Sequence, residues 1–384
     1  MLKKCSKFAA LLMALPLAGC GLFSSSDPHE PAELQDFNET VKTKTVWSTS
    51  VGDSDSAYLV PAVTDNAVYA AGGKSLYRLN RDTGAKVWEA DLKDQVTAGV
   101  GSDGACTGIS IVETGETGGR LEVFSAEGKP LWEAKLTAGA NIPPLVGNGL
   151  VVVSTADART TAFDMGSGSQ LWSYQSQAPA LTLQVYREMV WSPAGILVGQ
   201  SNGRLLALSP RGEVVFDAVV SESHGITEVE RLVDVVGRPW VDQQLMCAAT
   251  FQGGVLCMNT QNGQPVWQQK VDAVTGPAGD LEKMYVVDAQ GVIHAYNRGN
   301  GQQVWSRNEL LYRSPNAPVK IGNTVAVGDY DGYVSFYNAA DGSTVSRLRL
   351  SGAITTPATP LGFGAVFQTS EGEVAYVVQD SLMR

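Results

Sequence analysis

Short apolar runs alternate with polar turns along the chain from about residue 40 onward. In the stretch from Tyr285 to Trp305, an apolar strand (285–287) reaches a turn at 290–291, returns through 292–296, turns at 297–301 and leaves through Val304-Trp305. Glycines at both turns suit the positive φ that tight hairpins require. The apolar runs are short and follow a period of two residues, so the pattern predicts successive antiparallel strands rather than amphipathic helices.

A glycine followed four residues later by tryptophan marks the end of each repeat. Five copies are complete, and two keep only the glycine: Gly84-Trp88, Gly128-Trp132, Gly168-Trp172, Gly263-Trp267 and Gly301-Trp305, then Gly212-Phe216 and Gly342-Ser346. Together with Trp47, these end positions recur about every 40 to 45 residues, a period typical of propeller blades.

The two ends of the repeat array are incomplete in complementary ways. Residues 366–378 supply strands without a closing strand, whereas Val46-Trp47-Ser48 supplies a closing strand with no blade before it. We therefore expect both ends to share one blade, which leaves no open sheet edge at the junction. The predicted fold is all-β: an eight-bladed β-propeller of four-stranded antiparallel blades over residues 41–384, its last blade closed by the N-terminal strand.

The last strand of each repeat is apolar at successive positions, as in Val87-Trp88 and Val304-Trp305. A sheet with one face in water would alternate apolar and polar residues instead. We therefore expect both faces of these strands to be buried, with the indoles wedged between neighbouring blades.

Residues 1–19 are predicted to be a lipoprotein signal peptide. Three lysines precede an apolar run at 8–15 that is too short to span a bilayer. The small residues before Cys20 are similar to the bacterial lipoprotein cleavage box, which implies acylation of Cys20 after cleavage. Gly21, where an aspartate would retain the protein at the inner membrane, implies sorting to the outer membrane. Residues 20–40 are expected to form a lipidated, solvated tether.

The charge balance argues against a nucleic-acid partner. The chain has 28 basic and 39 acidic residues, for a net charge of −11, and cleavage of the signal would remove three lysines. Nucleic-acid binding needs an excess of lysine and arginine opposite the phosphates.

Three cysteines remain beyond the signal and Cys20. Cys247 and Cys257 fall on the two strands of one hairpin. A two-residue turn at 252–253 would pair position 247 with 258, which sets the two sulfur atoms on opposite faces of the sheet. We therefore expect these two cysteines and Cys106 to be buried thiols.

Several short motifs look catalytic, but their predicted surroundings do not fit. The GxSxG stretch at 199–203 and the GxGxxG stretch at 99–104 both precede β-like segments, whereas each motif requires a following helix. Asp329-Tyr330-Asp331-Gly332 lacks the further oxygen ligands of a calcium loop. The three histidines are scattered, with no zinc-site spacing. We predict no catalytic, metal-binding or cofactor-binding residue.

The aromatic repeats resemble those of quinoprotein dehydrogenases, which are propeller enzymes that hold pyrroloquinoline quinone (PQQ). That family's site uses an adjacent Cys-Cys disulfide and a bound calcium, and this chain has no Cys-Cys pair. A PQQ-dependent dehydrogenase stays as the alternative function. A periplasmic propeller that binds cell wall or another substrate is the third.

The whole combination resembles the BamB family of outer-membrane lipoproteins. The lipoprotein box, the acidic tether, the run VWSTSVG at 46–52, the eight repeats and the run TEVERLVDV at 227–235 carry the likeness. It implies a non-enzymatic, lipid-anchored scaffold that faces the periplasm and needs no cofactor. Its implied partners are the POTRA domains of the barrel subunit BamA, other Bam subunits and, as a further partner, unfolded outer-membrane proteins.

Two connections are unusual in ways that point to partner binding. The interval from Phe216 to Trp267 is the longest, so extra residues are expected as a loop near 219–238. The connection at 177–191 carries Leu181 and Leu183 without the polar residues of a turn. Loops on a rigid scaffold are common binding sites, and clustered apolar residues there mark a partner surface.

The family resemblance implies contact residues on these same loops, a Leu-x-Leu-Arg run and an Asp-x-Asp pair. Leu181 and Leu183 match the leucines, and Asp234 matches the first acid. The alternative interpretation is that both leucines belong to the core.

The charged part of the implied contact differs in this chain. Gln184 stands where the family has arginine, and Val236 replaces the second acid. Arg187 and Glu230 lie close enough in sequence to supply the missing charges.

Overall fold

A computed structural model describes residues 29–53, 58–112, 118–140, 142–177, 179, 181–183, 185–224 and 226–380. The predicted signal peptide and Cys20 lie outside these residues. Every regular element is a β-strand, and no helix in the described ranges has the length and apolar character to cross a membrane. From Pro31 onward the chain forms one compact unit.

The strands form eight four-stranded antiparallel sheets, numbered here as blades 1 to 8 along the chain. Blade 1 contains β2 (Ala62–Val63), β3 (Ala67–Gly72), β4 (Ser75–Asn80) and β5 (Lys86–Asp91). Blade 2 contains β6 (Val96–Ser102), β7 (Cys106–Val112), β8 (Gly119–Ser125) and β9 (Pro130–Leu136). Blade 3 contains β10 (Leu145–Gly147), β11 (Leu150–Ser154), β12 (Arg159–Asp164) and β13 (Gln170–Gln175). Blade 4 contains β14 (Val190–Ser192), β15 (Gly195–Gly199), β16 (Arg204–Leu208) and β17 (Val214–Val219).

The remaining blades follow the same order. Blade 5 contains β18 (Val235–Val241), β19 (Leu245–Thr250), β20 (Gly254–Asn259) and β21 (Pro265–Lys270). Blade 6 contains β22 (Ala278–Gly279), β23 (Lys283–Val287), β24 (Ile293–Asn297) and β25 (Gln303–Arg307). Blade 7 contains β26 (Val319–Ile321), β27 (Thr324–Gly328), β28 (Tyr333–Asn338) and β29 (Thr344–Arg349). Blade 8 contains β30 (Thr359–Leu361), β31 (Gly364–Gln368), β32 (Glu373–Gln379) and, at its outer edge, β1 (Thr43–Ser50).

The closure predicted from the two incomplete ends is confirmed. Strand β1 pairs antiparallel with β32, and Trp47 lies opposite Tyr376. The first strands of blades 1 and 8 also lie in contact, which joins the ends of the array at the axis. The eight-bladed propeller is therefore the observed fold.

The indoles lock each blade to the next one. In blade 6, Trp305 is 7% exposed, and its Nε1 donates a hydrogen bond to the carbonyl of Ala339 in blade 7 (3.1 Å). A Cβ atom on Gly342 would lie 2.7 Å from this ring, so only glycine leaves room for it. The glycine of each repeat thus makes space for the indole of the preceding repeat.

The same contact recurs wherever the preceding blade supplies an indole. The pairs are Trp47–Gly84, Trp88–Gly128, Trp132–Gly168, Trp172–Gly212, Trp267–Gly301 and Trp305–Gly342. All six indoles donate to a backbone carbonyl of the next blade. Where Ser346 replaces the indole, its hydroxyl bonds Thr43 and Glu39 of the N-terminal segment, which occupies that space.

The expectation that both faces of each outer strand are buried is wrong. Val87 is 51% exposed and Val304 is 46% exposed, whereas all six residues of the inner strand β3 are buried. Because blades radiate from the axis, neighbouring blades diverge outward, and a valine on an outer strand no longer has a facing sheet to pack against. The large indoles still reach across the gap between blades, as do a few long polar side chains such as Gln269, whose Nε2 donates to the carbonyl of Gly301 (2.8 Å).

The expectation of three free thiols is confirmed for Cys106 and wrong for the other two. Cys247 and Cys257 are directly paired across β19 and β20 and form a disulfide, with Cα atoms 4.1 Å apart. Strand β19 ends at Thr250 and β20 begins at Gly254, so the loop holds three residues centred on Gln252. An odd loop shifts the register by one residue from the expected pairing and places both sulfur atoms on one face. Cys106 is buried, which raises the pKa of its thiol to about 11.

The expectation of a solvated tether is wrong from Pro31 onward. Ala32 donates its N–H to the carbonyl of Leu311 (2.9 Å), and Leu34 packs against the cluster between blades 6 and 7. Arg347 lies over the ring of Phe37 at 5.0 Å. Residues 31–42 therefore run along blade 7 before entering β1, held there by the apolar side chains of Leu34, Phe37 and Val41.

Candidate docking surface on blades 4 and 5

Two long connections lie side by side on one face of the propeller. Loop A (176–189) joins β13 to β14, and loop B (220–234) joins β17 to β18. Both run from the outer strand of one blade to the inner strand of the next. Connections of this kind all emerge on the same face, opposite the turns that join the first and second strands of each blade. We refer to this side as the loop face.

Hydrogen bonds join loop A to the start of blade 5. The N–H of Leu183 donates to Oδ2 of Asp234 (2.8 Å). Further along, the N–H of Gly237 donates to the carbonyl of Tyr186 (2.8 Å), and the N–H of Glu188 donates to the carbonyl of Gly237 (3.1 Å). These contacts fix loop A against β18 and against Asp234, the last residue of loop B.

Asp234 is fully buried and holds loop A in place through its hydrogen bond with Leu183. Burial raises the pKa of its carboxyl, against the opposing effects of the Leu183 N–H and the Arg187 guanidinium. Arg187 donates from Nη1 to Oγ of Ser201 (2.8 Å), and burial lowers the pKa of this arginine. Asp234 therefore lies beneath the surface, and Arg187 beside it is half-buried.

The apolar part of the prediction lies at the surface. Leu181 is 42% exposed, so the interpretation of both leucines as core residues is wrong for Leu181, while Leu183 is half-buried. Loop B adds Ile226 at 91% exposure and Val229 at 60%. Sequence reasoning did not single out this pair, although apolar residues among serine, histidine and glutamate in a long loop are a usable signal.

Glu230 stays apart from the buried charges. Its Oε2 accepts the N–H groups of Ile226 (2.9 Å) and Thr227 (3.1 Å), and its own N–H donates to Oγ1 of Thr227 (3.3 Å). These bonds lower the pKa of Glu230. The reciprocal bonding with Thr227 is that of a capping box, which fixes the turn that presents Ile226 and Val229.

Val236 and Gln184, the two positions that differ from the family pattern, do not contribute to the described surface. Val236 is 1% exposed within β18, so the position of the family's second acid is internal here. Gln184 lies outside the described residues. The structure thus brings Leu183, Arg187 and Asp234 together, leaves Leu181 exposed on loop A, and holds Glu230 in a separate turn.

The motifs that look catalytic form ordinary hairpins. The GxSxG stretch joins β15 to β16, and the GxGxxG stretch begins within β6 and leads into β7. Asp329 and Asp331 are bound by Arg313, from Nε to Oδ2 of Asp329 (2.8 Å) and from Nη2 to Oδ2 of Asp331 (2.7 Å). Among the described residues no group of histidine, cysteine and acid side chains is arranged to hold a metal ion.

The central channel holds a cavity of about 480 Å³ with an apolar lining. Val190, Pro239 and Pro318 contribute to its wall. Its charged side chains include Glu188 and Arg238, which pair with each other at 3.5 Å. A tricarboxylate quinone held over a disulfide with calcium would need several free cationic and acidic ligands, and the donors described here do not fit that group.

Comparison with known proteins agrees with this architecture. Eight four-stranded blades locked by Trp–Gly contacts define a propeller of the PQQ-like-repeat class. A family model described as outer membrane protein assembly factor BamB matches residues 72–307 and 289–382. The chain belongs to the BamB family, as the resemblance predicted.

Individual relatives show the same relationship over nearly the whole chain. The assembly factor BamB of Bordetella pertussis is 34% identical over 94% of this chain and 94% of its own length. The BamB of Burkholderia pseudomallei is 34% identical over 95% and 96%, respectively. The crystal structure of BamB from Moraxella catarrhalis is 25% identical, with a TM-score of 0.79 over 88% of this chain and all of that chain.

Quinoprotein dehydrogenases share the fold alone. The quinohemoprotein alcohol dehydrogenase of Comamonas testosteroni is 12% identical, with a TM-score of 0.68 over 89% of this chain and 78% of that chain. The relatives at 34% identity are assembly factors, so the protein is a non-catalytic family member.

Proposed function

We propose that this protein is a lipid-anchored scaffold of the β-barrel assembly machinery that docks the barrel subunit BamA on its loop face. Its relatives are named outer membrane protein assembly factors, which supports membership of the complex and association with the outer membrane. Acylated Cys20 anchors the chain at the periplasmic side, other Bam subunits share the complex, and the POTRA domains of BamA are the partner of loops A and B.

The observation that carries this proposal is an apolar surface on a fixed support. Leu181, Ile226 and Val229 are exposed on two adjacent loops, and the bond from Leu183 to buried Asp234 holds loop A in place. A preorganised loop loses little entropy on binding, so its exposed apolar residues contribute most of their burial energy to affinity. Asp234 and Arg187 act as support beneath this surface, and Glu230 shapes the turn of loop B.

The double substitution Leu181→Ala/Leu183→Ala is expected to weaken binding of the purified POTRA domains by at least about tenfold. Burying a leucine contributes about 1.5 to 3 kcal/mol, and 1.4 kcal/mol corresponds to one factor of ten in affinity. Titration calorimetry with the full mature chain measures the change.

Leu281→Ala is the matched control, because Leu281 is 86% exposed in the turn between β22 and β23 on the opposite face. We expect this variant to bind as the unchanged protein does. Equal affinity for the double variant and the unchanged protein would show that the POTRA domains dock elsewhere.

A further inference from the structure

The wall of the central channel carries two opposite charges side by side at one level. Aligning the inner strands by their pairing with the second strands places Glu188 of blade 4 and Arg238 of blade 5 at the same level. The other six blades have valine, glycine, alanine or proline there. Glu188 and Arg238 therefore stand next to each other on an otherwise uncharged ring.

A β-bulge in blade 5 places Arg238 in the channel wall. Three residues of β18, at 237–239, face the single residue Ala248 of β19. Gly237 has a φ of 65° at this bulge. A Cβ atom on Gly276, at the start of blade 6, would lie 2.5 Å from the backbone nitrogen of Arg238, so the bulge packs closely against the next blade. Bulges re-aim side chains and are over-represented next to active sites.

Arg238 keeps most of its hydrogen-bonding capacity for a ligand. Its side chain is 51% exposed, and within the described part of the chain its polar partner is Glu188, with Nε 3.5 Å from Oε2. That separation exceeds the usual length of an N–H···O hydrogen bond and involves only Nε. The terminal N–H groups of a guanidinium form a planar fork that matches the two oxygen atoms of a carboxylate.

Glu188 offsets this positive charge only in part. The Tyr186 hydroxyl donates to its Oε1, and its side chain is 13% exposed. Burial raises the pKa of Glu188 against the opposing effect of Arg238, so its charged form is disfavoured. Lys320 also lines the cavity, but its Nζ lies 3.7 Å from Oδ2 of Asp280, nearer the opposite face. The cationic group that stays open to the cavity is therefore Arg238.

The size and lining of the cavity define the rest of the ligand. Its volume of about 480 Å³ lies within the range typical of small-molecule sites. Pro239, Pro277 and Pro318 contribute to the wall, and the fixed φ of proline makes that wall rigid. A rigid apolar cavity with one open guanidinium fits a molecule that has one negative charge and a compact apolar body.

We propose that the central channel binds a small carboxylic acid with an apolar body, and that Arg238 holds its carboxylate. The terminal N–H groups of Arg238 donate to the two carboxylate oxygen atoms, and the apolar body lies against the valine and proline residues of the wall. Glu188 disfavours a second negative charge on the ligand. The site is distinct from the docking surface, since Leu181 and Val229 lie outside the cavity wall.

Compounds that share one apolar body and differ in the end group test this proposal. They are 4-phenylbutyrate, 4-phenylbutanol and 4-phenylbutylamine, and ligand-detected NMR titration of the full mature chain at neutral pH compares their affinities. We expect the carboxylate to bind at least about tenfold more tightly than the alcohol, because hydrogen bonds between charged groups are the stronger ones. The amine should bind most weakly. Equal affinities for the carboxylate and the alcohol, or a preference for the amine, would overturn the proposal.

Arg238→Gln is expected to lower the affinity for the carboxylate at least about tenfold, to the level of the alcohol. Binding of the alcohol should stay unchanged, which shows that the cavity persists in this variant. Arg211→Gln, at an exposed turn in blade 4, is the matched control and should bind all of the compounds as the unchanged protein does. Carboxylate binding that survives Arg238→Gln would place the anion elsewhere.

Glu188→Gln distinguishes a ligand-binding role of Arg238 from a purely structural ion pair. The amide can still accept the Tyr186 hydrogen bond, but the competing negative charge is gone. We therefore expect the carboxylate to bind about two- to fivefold more tightly, the effect of a partly exposed ion pair. If the ion pair only stabilises the channel, Glu188→Gln should lose affinity as Arg238→Gln does, and that result would contradict the proposal.

Discussion

Replacing Trp305 by alanine is expected to lower the free energy of unfolding by about 3 to 5 kcal/mol, the range typical of a buried tryptophan. The indole is 7% exposed and lies against Tyr285 with ring centres 5.9 Å apart. Its hydrogen bond to Ala339 and its contact with Gly342 both cross to blade 7. The substitution therefore opens a cavity between two blades and leaves that carbonyl without its donor.

Val304→Ala is the control for this experiment. Val304 is adjacent in β25 but 46% exposed, so its loss should change the free energy of unfolding by less than about 1 kcal/mol. Urea denaturation followed by tryptophan fluorescence and circular dichroism compares the two variants. Similar losses for both would mean that the blade contacts do not depend on the indole.

Replacing Arg313 by methionine is expected to destabilise the protein by about 3 to 5 kcal/mol, because it leaves a buried carboxylate without its partner. Asp329 is fully buried and Arg313 is 5% exposed, and the two are joined at 2.8 Å. Methionine retains most of the side-chain volume, so the lost ion pair dominates the effect.

The same substitution should also release the N-terminal segment. Arg313 donates from Nη1 to the carbonyl of Ala32 (3.2 Å), beside the bond from Ala32 to Leu311. Limited proteolysis within residues 31–42 should become faster in the Arg313→Met variant. Arg211→Met, at an exposed turn in blade 4, should change neither stability nor proteolysis. Unchanged stability of the Arg313 variant would show that Asp329 is not held by this pair.

The architecture could be predicted because its main contact uses residues at a fixed spacing. Each indole needs a glycine in the next blade, and both occupy the same place in every repeat, so the contact leaves a period in the sequence. The missing indole at Ser346 weakens that period for a physical reason, since residues 39–43 fill the space.

Details set by a single residue of register or by blade geometry could not be predicted. The disulfide follows from a three-residue loop centred on Gln252, which has a φ of 52°. A sequence that reads Gln-Gly-Gly fits a two-residue turn as well. The exposure of Val87 and Val304 follows from how far the blades diverge, which no local pattern records.

The candidate docking site was only partly predictable. The leucines of loop A and the length of loop B are visible in the sequence, but the bond from Leu183 to Asp234 joins residues 51 apart. Sequence alone gave Asp234 and Arg187 the role of surface contacts. In the structure Asp234 is buried and bonds the Leu183 N–H, and half-buried Arg187 bonds Ser201, so both support loop A.

Site-specific photocross-linking in cells tests the central claim, docking of the barrel subunit on the loop face, most directly. A photoreactive amino acid at position 181 is compared with one at position 281, since both leucines are exposed and lie on opposite faces. We predict a cross-link to the barrel subunit from position 181 and none from position 281. A cross-link from position 281 alone would contradict the account.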